Sequence, residues 1–378
     1  MTNVEANPDG TPDGGREPAV DGDSRPSNSP PGYLAIDLSP SRLAAGLVDG
    51  SGQVVLRDRV GTPPRNVWPA LTQLVRRVLA ANPSGVVPRM VGVTCPGPID
   101  RLTGAMKPVG LPLWHDFPIS RELGDIVGLP VALDTPGRGL ALAELWCGDS
   151  AMLRPSDCQF ATLVVGDEVD GAVVVDGRLA SGLTGNLGQF GHLIVEPDGQ
   201  PCPCGAAGCL TAYAGAMSIT RGTGRELRRT PPGTVERTGI MVARACASIA
   251  AMLDVREVIV GGVVPSVLGA PFFEAIDREF DQRSRLSHLS EFRVRGVEPS
   301  RLGPLGAAAA IARRLELERP VDEPIPEPPP VELFGPPQPR PFSADKPAVT
   351  IIRPSNAERA ADGPTRVGAD GEAAGSAS

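Results

Sequence analysis

Residues 192–209 run His192-Leu193-Ile194-Val195-Glu196-Pro197-Asp198-Gly199-Gln200-Pro201-Cys202-Pro203-Cys204-Gly205-Ala206-Ala207-Gly208-Cys209. One imidazole and three thiols in so short a stretch form a complete ligand set for a four-coordinate metal. Cys202 and Cys204 put two thiolates on one turn. Gly205 and Gly208 let the backbone double back so that Cys209 closes the site. With His192, Cys202, Cys204 and Cys209 filling all four positions, a bound Zn2+ would be structural, since a catalytic zinc keeps one position open. The competing reading is a disulfide from Cys202 or Cys204 to Cys209. Seven cysteines, an odd number scattered along the chain, and no signal-peptide pattern suit a reducing cytosol, where clustered cysteines bind metal more often than they oxidise. Metal is therefore expected, in a cytoplasmic protein. Cys95, Cys147, Cys158 and Cys246 lie in or beside apolar runs and are expected as small buried residues.

The elements that must hold this loop lie in the middle of the chain. Of the 378 residues, 1–32 are Pro, Gly, Asp, Asn and Ser with few hydrophobics, and 318–378 are Pro-rich and then Ala-, Gly- and Asp-rich. Neither end can bury enough apolar surface to offset its ordering entropy, so both are expected to be disordered tails, the second a polyproline spacer. The core is apolar and periodic. Residues 33–36, 42–48 and 54–60 predict a meander of three strands. A helical period covers 66–81, through Trp68, Leu71, Leu74, Val75, Val78 and Leu79. Strands are predicted at 90–94 and 131–133, with a helix at 139–145. The style then repeats: strands at 160–165 and 171–175, a long helix at 238–253, a strand at 258–260 ending on Gly261-Gly262, and a helix at 306–315. Two similar α/β lobes around a cleft are expected, 33–134 and 135–317, with the last helix returning to the first lobe. Net charge is −8 and the arginines are dispersed, which is no footprint for nucleic acid. No apolar run is long enough to span a bilayer, so no membrane partner is expected.

Several segments carry a resemblance. Gly191-His192 followed by Cys202-x-Cys204-Gly205-x-x-Gly208-Cys209-Leu210 is the most specific. Gly92-Val93-Thr94-Cys95-Pro96-Gly97-Pro98-Ile99-Asp100 matches a G-x-G-x-P-G-P-V-D pattern. Val174-Val175-Asp176-Gly177-Arg178-Leu179, Val260-Gly261-Gly262 and Leu305-Gly306-Ala307-Ala308 follow in order. Together they resemble the ROK family (repressor, open reading frame, kinase) over nearly all of the apolar core. The resemblance implies a two-lobed, actin-like, hexokinase-type α/β fold, a zinc signature, homodimerisation and a sugar-like small-molecule ligand.

It also implies where chemistry should sit. Sugar phosphorylation needs a carboxylate base, a phosphate cradle and polar groups that orient the sugar. The family base is the Asp of E-N-D-A-N-A-A-A-L-A-E. The matching stretch starts Asp134-Thr135-Pro136-Gly137, so Pro136 takes the base position and Asp134 is two residues away, a poor substitute. The first phosphate loop, D-x-G-G-T in the family, is Asp37-Leu38-Ser39-Pro40-Ser41. Asp37 survives, and Pro40 removes an amide donor. The second loop, Gly-rich in the family, is Gly166-Asp167-Glu168-Val169-Asp170-Gly171, and its acids are expected on a solvated turn. The nucleotide-site remnants are Asp37, Gly166, Gly261 and Gly262. The sugar-site remnants are Gln189 for a Glu, His192, and Thr211 for a Glu, with Gly110 in place of an Asn.

Folding determinants are kept where catalytic ones are changed. The expected function is a catalytically inactive sugar-kinase homologue with a binding or regulatory role. The alternative is an active ATP-dependent kinase for a hexose or N-acylhexosamine, with Mg-ATP as its second substrate. A transcriptional repressor is disfavoured, because only about thirty residues precede Tyr33, too few for a DNA-reading domain.

Overall fold

The computed structural model describes residues 31–319, apart from 83, 284, 285, 299 and 300. The tail expectations for 1–30 and 320–378 fall outside the described residues. At the inner margins the chain differs from expectation: Pro31 and Gly32 open the first strand, and Glu318 closes the last helix.

The first sheet is built from β1 (Pro31–Leu38), β2 (Arg42–Asp49), β3 (Val54–Gly61), β4 (Val87–Thr94) and β7 (Val131–Asp134), in the order β3-β2-β1-β4-β7. The short pair β5 (Ile99–Asp100) and β6 (Ala105–Met106) lies between β4 and β7 in the chain. β1, β2 and β3 form the antiparallel meander, whereas β4 runs parallel to β1 and β7 parallel to β4. Alternation along β1 divides the core. Leu34, Ile36 and Leu38 face α1 (Val67–Ala81) and α2 (Ile119–Val127), packing on Leu71, Leu74 and Leu123. Tyr33 and Ala35 face the opposite way, onto the C-terminal helix α9 (Pro304–Glu318) through Leu305, Ala308 and Ala312. The alanine run of α9 and Gly92 allow this close approach. A Cβ at Gly92 would run into the Ala308 carbonyl.

The second sheet repeats the topology. β8 (Phe160–Val165), β9 (Val169–Val175) and β10 (Arg178–Leu179) are antiparallel, and β11 (Glu257–Gly261) and β12 (Arg293–Gly296) extend β8 in parallel, giving the order β10-β9-β8-β11-β12. One face packs on α6 (Pro232–Leu253) and α8 (Ala270–Arg283) through Ile249, Phe272 and Ile276. The other carries α3 (Pro136–Cys147), whose Ala141 sits against Phe160, Ala172 and Ile259. Thus α3 follows the first sheet in the chain but covers the second, while α9 follows the second and covers the first. They meet where Gly139 of α3 faces Ala307 of α9.

Three short helices, α4 (Leu210–Ala214), α5 (Ala216–Thr223) and α7 (Val263–Leu268), rim the space between the sheets. Among the described residues no helix is long and apolar enough to cross a membrane. Cys95, Cys158 and Cys246 are buried as expected, whereas Cys147, at the end of α3, is partly exposed.

Candidate functional site

A cleft of about 530 Å³ opens at the carboxyl ends of the central strands of both sheets. Its first wall comes from the β1–β2 turn and the segment after β4. Asp37 lies near the end of β1, level with Thr94 at the end of β4. Its Oδ1 accepts a 2.8 Å hydrogen bond from the Thr94 hydroxyl, and Arg42 stands 3.5 Å from Oδ2. Burial pushes the Asp37 carboxyl up, and the Arg42 charge works against that. The turn itself is closed by Ser39 and Arg42, whose backbones exchange hydrogen bonds of 2.9 and 3.3 Å. Pro40 has no N–H, so Ser41 supplies the free amide of the turn. That amide donates across the cleft to Asp167 Oδ2 at 2.8 Å.

The second wall is the β8–β9 turn, residues 166–168, with Val169 and Asp170 at the start of β9. Here expectation and structure part. The three acids do not form a solvated turn: Asp170 is buried, and Asp167 and Glu168 are only partly exposed, all three lining the cleft. The turn is covered because the opposing lobe closes over it. Glu168 lies against Gly110, and a Cβ at 110 would sit 2.5 Å from Glu168 Oε1 and 3.0 Å from Pro40 Cγ. Burial, then the charges of Asp167 and Asp170, push the Glu168 carboxyl up to about 7, and the Gly110 amide holds it down. Asp170 Oδ2 accepts from the Gly137 amide at 2.8 Å, and its Oδ1 accepts from Gln189 Nε2 at 3.2 Å. Burial pushes the Asp170 carboxyl up to about 6.

Pro136, the expected base position, is the first residue of α3 and lines the cleft. A proline ring has no group that accepts a proton. Asp134, the alternative, lies behind the cleft wall. Arg101 approaches it at 2.6 Å and Arg138 at 2.9 Å, and the Thr135 amide donates to it at 2.8 Å. A carboxylate held by two guanidinium groups is an anchor for α3. Of the other expected residues, Asp37, Gly166, Gln189, His192, Thr211 and Gly262 line the cleft, whereas Gly261 is buried in β11. Thr211 Oγ1 accepts a long 3.4 Å bond from the Val169 amide.

The metal-ligating set does converge. Donor atoms of His192, Cys202, Cys204 and Cys209 all lie within 4.8 Å of one another. The Cys204 and Cys209 sulfurs are 3.8 Å apart, as are Cys202 Sγ and His192 Nδ1. Thiolates bound at about 2.3 Å around one tetrahedral ion stand about 3.8 Å apart, whereas a disulfide needs about 2.05 Å. The donors therefore fit a single ion and not a disulfide. Gly205 and Gly208 take positive φ at 94° and 77°, and the Val195 amide bonds the Gly208 carbonyl at 2.9 Å. The clasp joins the segment carrying Gln189 and His192 to α4, which carries Thr211.

The sequence pattern of the ROK family matches residues 33–311, and the chain belongs to that family. It is similar to a glucokinase of Thermotoga maritima, 31% identical over 189 residues, covering 50% of this chain and 58% of the relative. It is also similar to an N-acetylmannosamine kinase of Citrobacter koseri, 29% identical over 247 residues, covering 61% of this chain and 83% of the relative. Among solved structures, a ROK hexokinase from Thermus thermophilus superposes with a TM-score of 0.60 at 28% identity, covering 76% of this chain and 99% of that one. A ROK glucokinase from Streptomyces griseus, in complex with glucose and AMPPNP, gives 0.66 at 21% identity over 75% and 99%. The fold is thus the two-lobed, actin-like one of ROK hexokinases.

Proposed function

We propose that this ROK protein is a sugar-kinase homologue that has given up phosphoryl transfer and uses its cleft to bind a small sugar-like molecule in a regulatory role. One observation carries the reading: the base position holds Pro136, and the neighbouring carboxylate, Asp134, is tied to Arg101 and Arg138. A general base contributes about 10²–10⁴-fold to such a reaction and must lie within hydrogen-bond reach of the acceptor hydroxyl. The cleft also meets an incoming polyphosphate with Asp37, Asp167, Glu168 and Asp170, against one lining arginine, Arg42. Family resemblance and donor geometry support Zn2+ as the ion of the clasp, held structurally by His192, Cys202, Cys204 and Cys209. A homodimer of soluble, cytoplasmic subunits without direct DNA contact completes the proposal.

A second reading has its own support. Both relatives are sugar kinases by name, and their testimony favours an active, Mg-ATP-dependent enzyme for a hexose or N-acylhexosamine. The cleft offers such an enzyme one relocated carboxylate: Asp170, bonded to the amide of Gly137, the residue after Pro136, and ionising near the pH a general base requires. Incubation with Mg-ATP and a panel of hexoses and N-acylhexosamines separates the two. The first reading expects no sugar phosphate above the enzyme-free control. The second expects turnover that Asp170→Asn abolishes.

A further inference from the structure

The turn at 166–170 is bonded to three separate elements of the protein, each through a different acid. Asp167 accepts the Ser41 amide of the β1–β2 turn at 2.8 Å. Glu168 packs on Gly110, in the segment before α2. Asp170 accepts the Gly137 amide at the start of α3. The first two contacts cross the cleft, between residues more than fifty positions apart in the chain. Gly110 leaves room for both neighbours: a Cβ there would sit 2.5 Å from Glu168 Oε1 and 3.0 Å from Pro40 Cγ, so a side chain at 110 would push Glu168 aside.

We propose that this turn is an internal anion latch: the Asp167 carboxylate takes the Ser41 amide that would otherwise serve an anionic ligand, and with Glu168 against Gly110 it holds the two lobes together and bars polyphosphates. The inference deepens the proposed function and rests on the reading that the cleft turns over no nucleotide. The logic is one of donors and acceptors. A backbone amide in a tight turn is an anion-binding group, and a carboxylate already bonded to it must be displaced before a phosphate oxygen can bond there. A phosphate that displaced Asp167 would then sit beside an unpaired carboxylate, with Glu168 next in sequence. Both the lost bond and the like-charge contact disfavour the exchange.

Two measurements on the full chain test the latch: hydrogen exchange at the Ser41 amide, and calorimetric titration with inorganic tripolyphosphate. Asp167→Ala is expected to speed Ser41 exchange by about tenfold or more, the change expected for loss of a bond to a charged acceptor. The same variant is expected to bind tripolyphosphate at least about tenfold more tightly than the wild type, for the same reason. Asp167→Asn keeps an acceptor oxygen and is expected to fall between the two; its exchange rate gives the answer should alanine fail to fold. The latch is overturned if Ser41 exchanges at the wild-type rate in both variants, or if tripolyphosphate binds wild type and variant alike. Sugar-phosphate formation by the wild type would overturn both the loss of catalysis and the barring of polyphosphates, whereas equal tripolyphosphate binding without turnover would overturn the latch alone, so the two failures are distinguishable.

Discussion

Three carboxyl groups in and behind one cleft are held differently, and their partners explain why. Asp134 meets two guanidinium groups and anchors α3. Arg138 is buried and also donates to the Ala180 carbonyl, so Arg138→Met removes one of the two guanidinium groups of a buried carboxylate and leaves it to Arg101 and the Thr135 amide. Thermal melting should show a loss of about 1–3 kcal/mol, the usual cost of losing one hydrogen bond to a charged group. Glu168 and Asp170 meet no cation among the described residues, and burial pushes them up to about 7 and about 6 from ordinary values of 4.5 and 3.8. The folded chain therefore binds more protons than the unfolded chain between those limits, and their contribution makes stability fall as pH rises through that window. Glu168→Gln removes the charge and keeps the shape. It should raise the melting temperature at pH 8 and flatten its dependence between pH 5 and 8; an unchanged pH profile would show that the Glu168 carboxyl is not held in a buried, anionic setting. The convergence of His192, Cys202, Cys204 and Cys209 was legible from the sequence because the four lie in one short loop. The burial of residues 167–170 was not, because it depends on Ser41 and Gly110, which come from distant segments.

Among the elements, α3 and α9 decide how the cleft is held. Each covers the sheet of the other half, and small residues let them pass: Gly92 beneath α9, Gly139 against Ala307. Gly92→Ala forces a methyl into the Ala308 carbonyl, and an overpacked contact of this kind costs about 1–3 kcal/mol or more. A melting temperature equal to the wild type would contradict the described seat of α9. The clasp does for α4 what these glycines do for α9. Cys209→Ser, or a strong chelator, should release the bound ion, measured by elemental analysis, and lower the melting temperature, since metal binding to a folded site adds directly to its stability. Strands with strong apolar runs were foreseen within a few residues of their observed ends. Several elements were not, β12 and α8 among them. In β12 the edge sequence Arg293-Val294-Arg295-Gly296 owes its place to Arg293 and Arg295 pairing with Glu257, and Arg295 with Glu144. In α8 the apolar stripe is narrow, with Phe272, Ala275 and Ile276 buried on an otherwise charged helix. Long-range ion pairs and narrow stripes leave little periodic signal.

At the scale of the molecule, two sheets of one topology face a cleft whose departures from the family pattern fit one another. Gly110 makes room for Pro40 and Glu168, and Pro136 and Asp170 lie on either side of the Gly137 amide. On the proposed reading no single reversion should give chemistry: Pro136→Asp alone is expected to give no turnover while Asp167 still holds the Ser41 amide. The most direct test of the account is phosphorus NMR of stoichiometric protein with Mg-ATP and, in turn, glucose, mannose and N-acetylmannosamine. The account predicts that the γ-phosphate signal persists unchanged over hours with every sugar. A new sugar-phosphate resonance growing at the expense of that signal would contradict it.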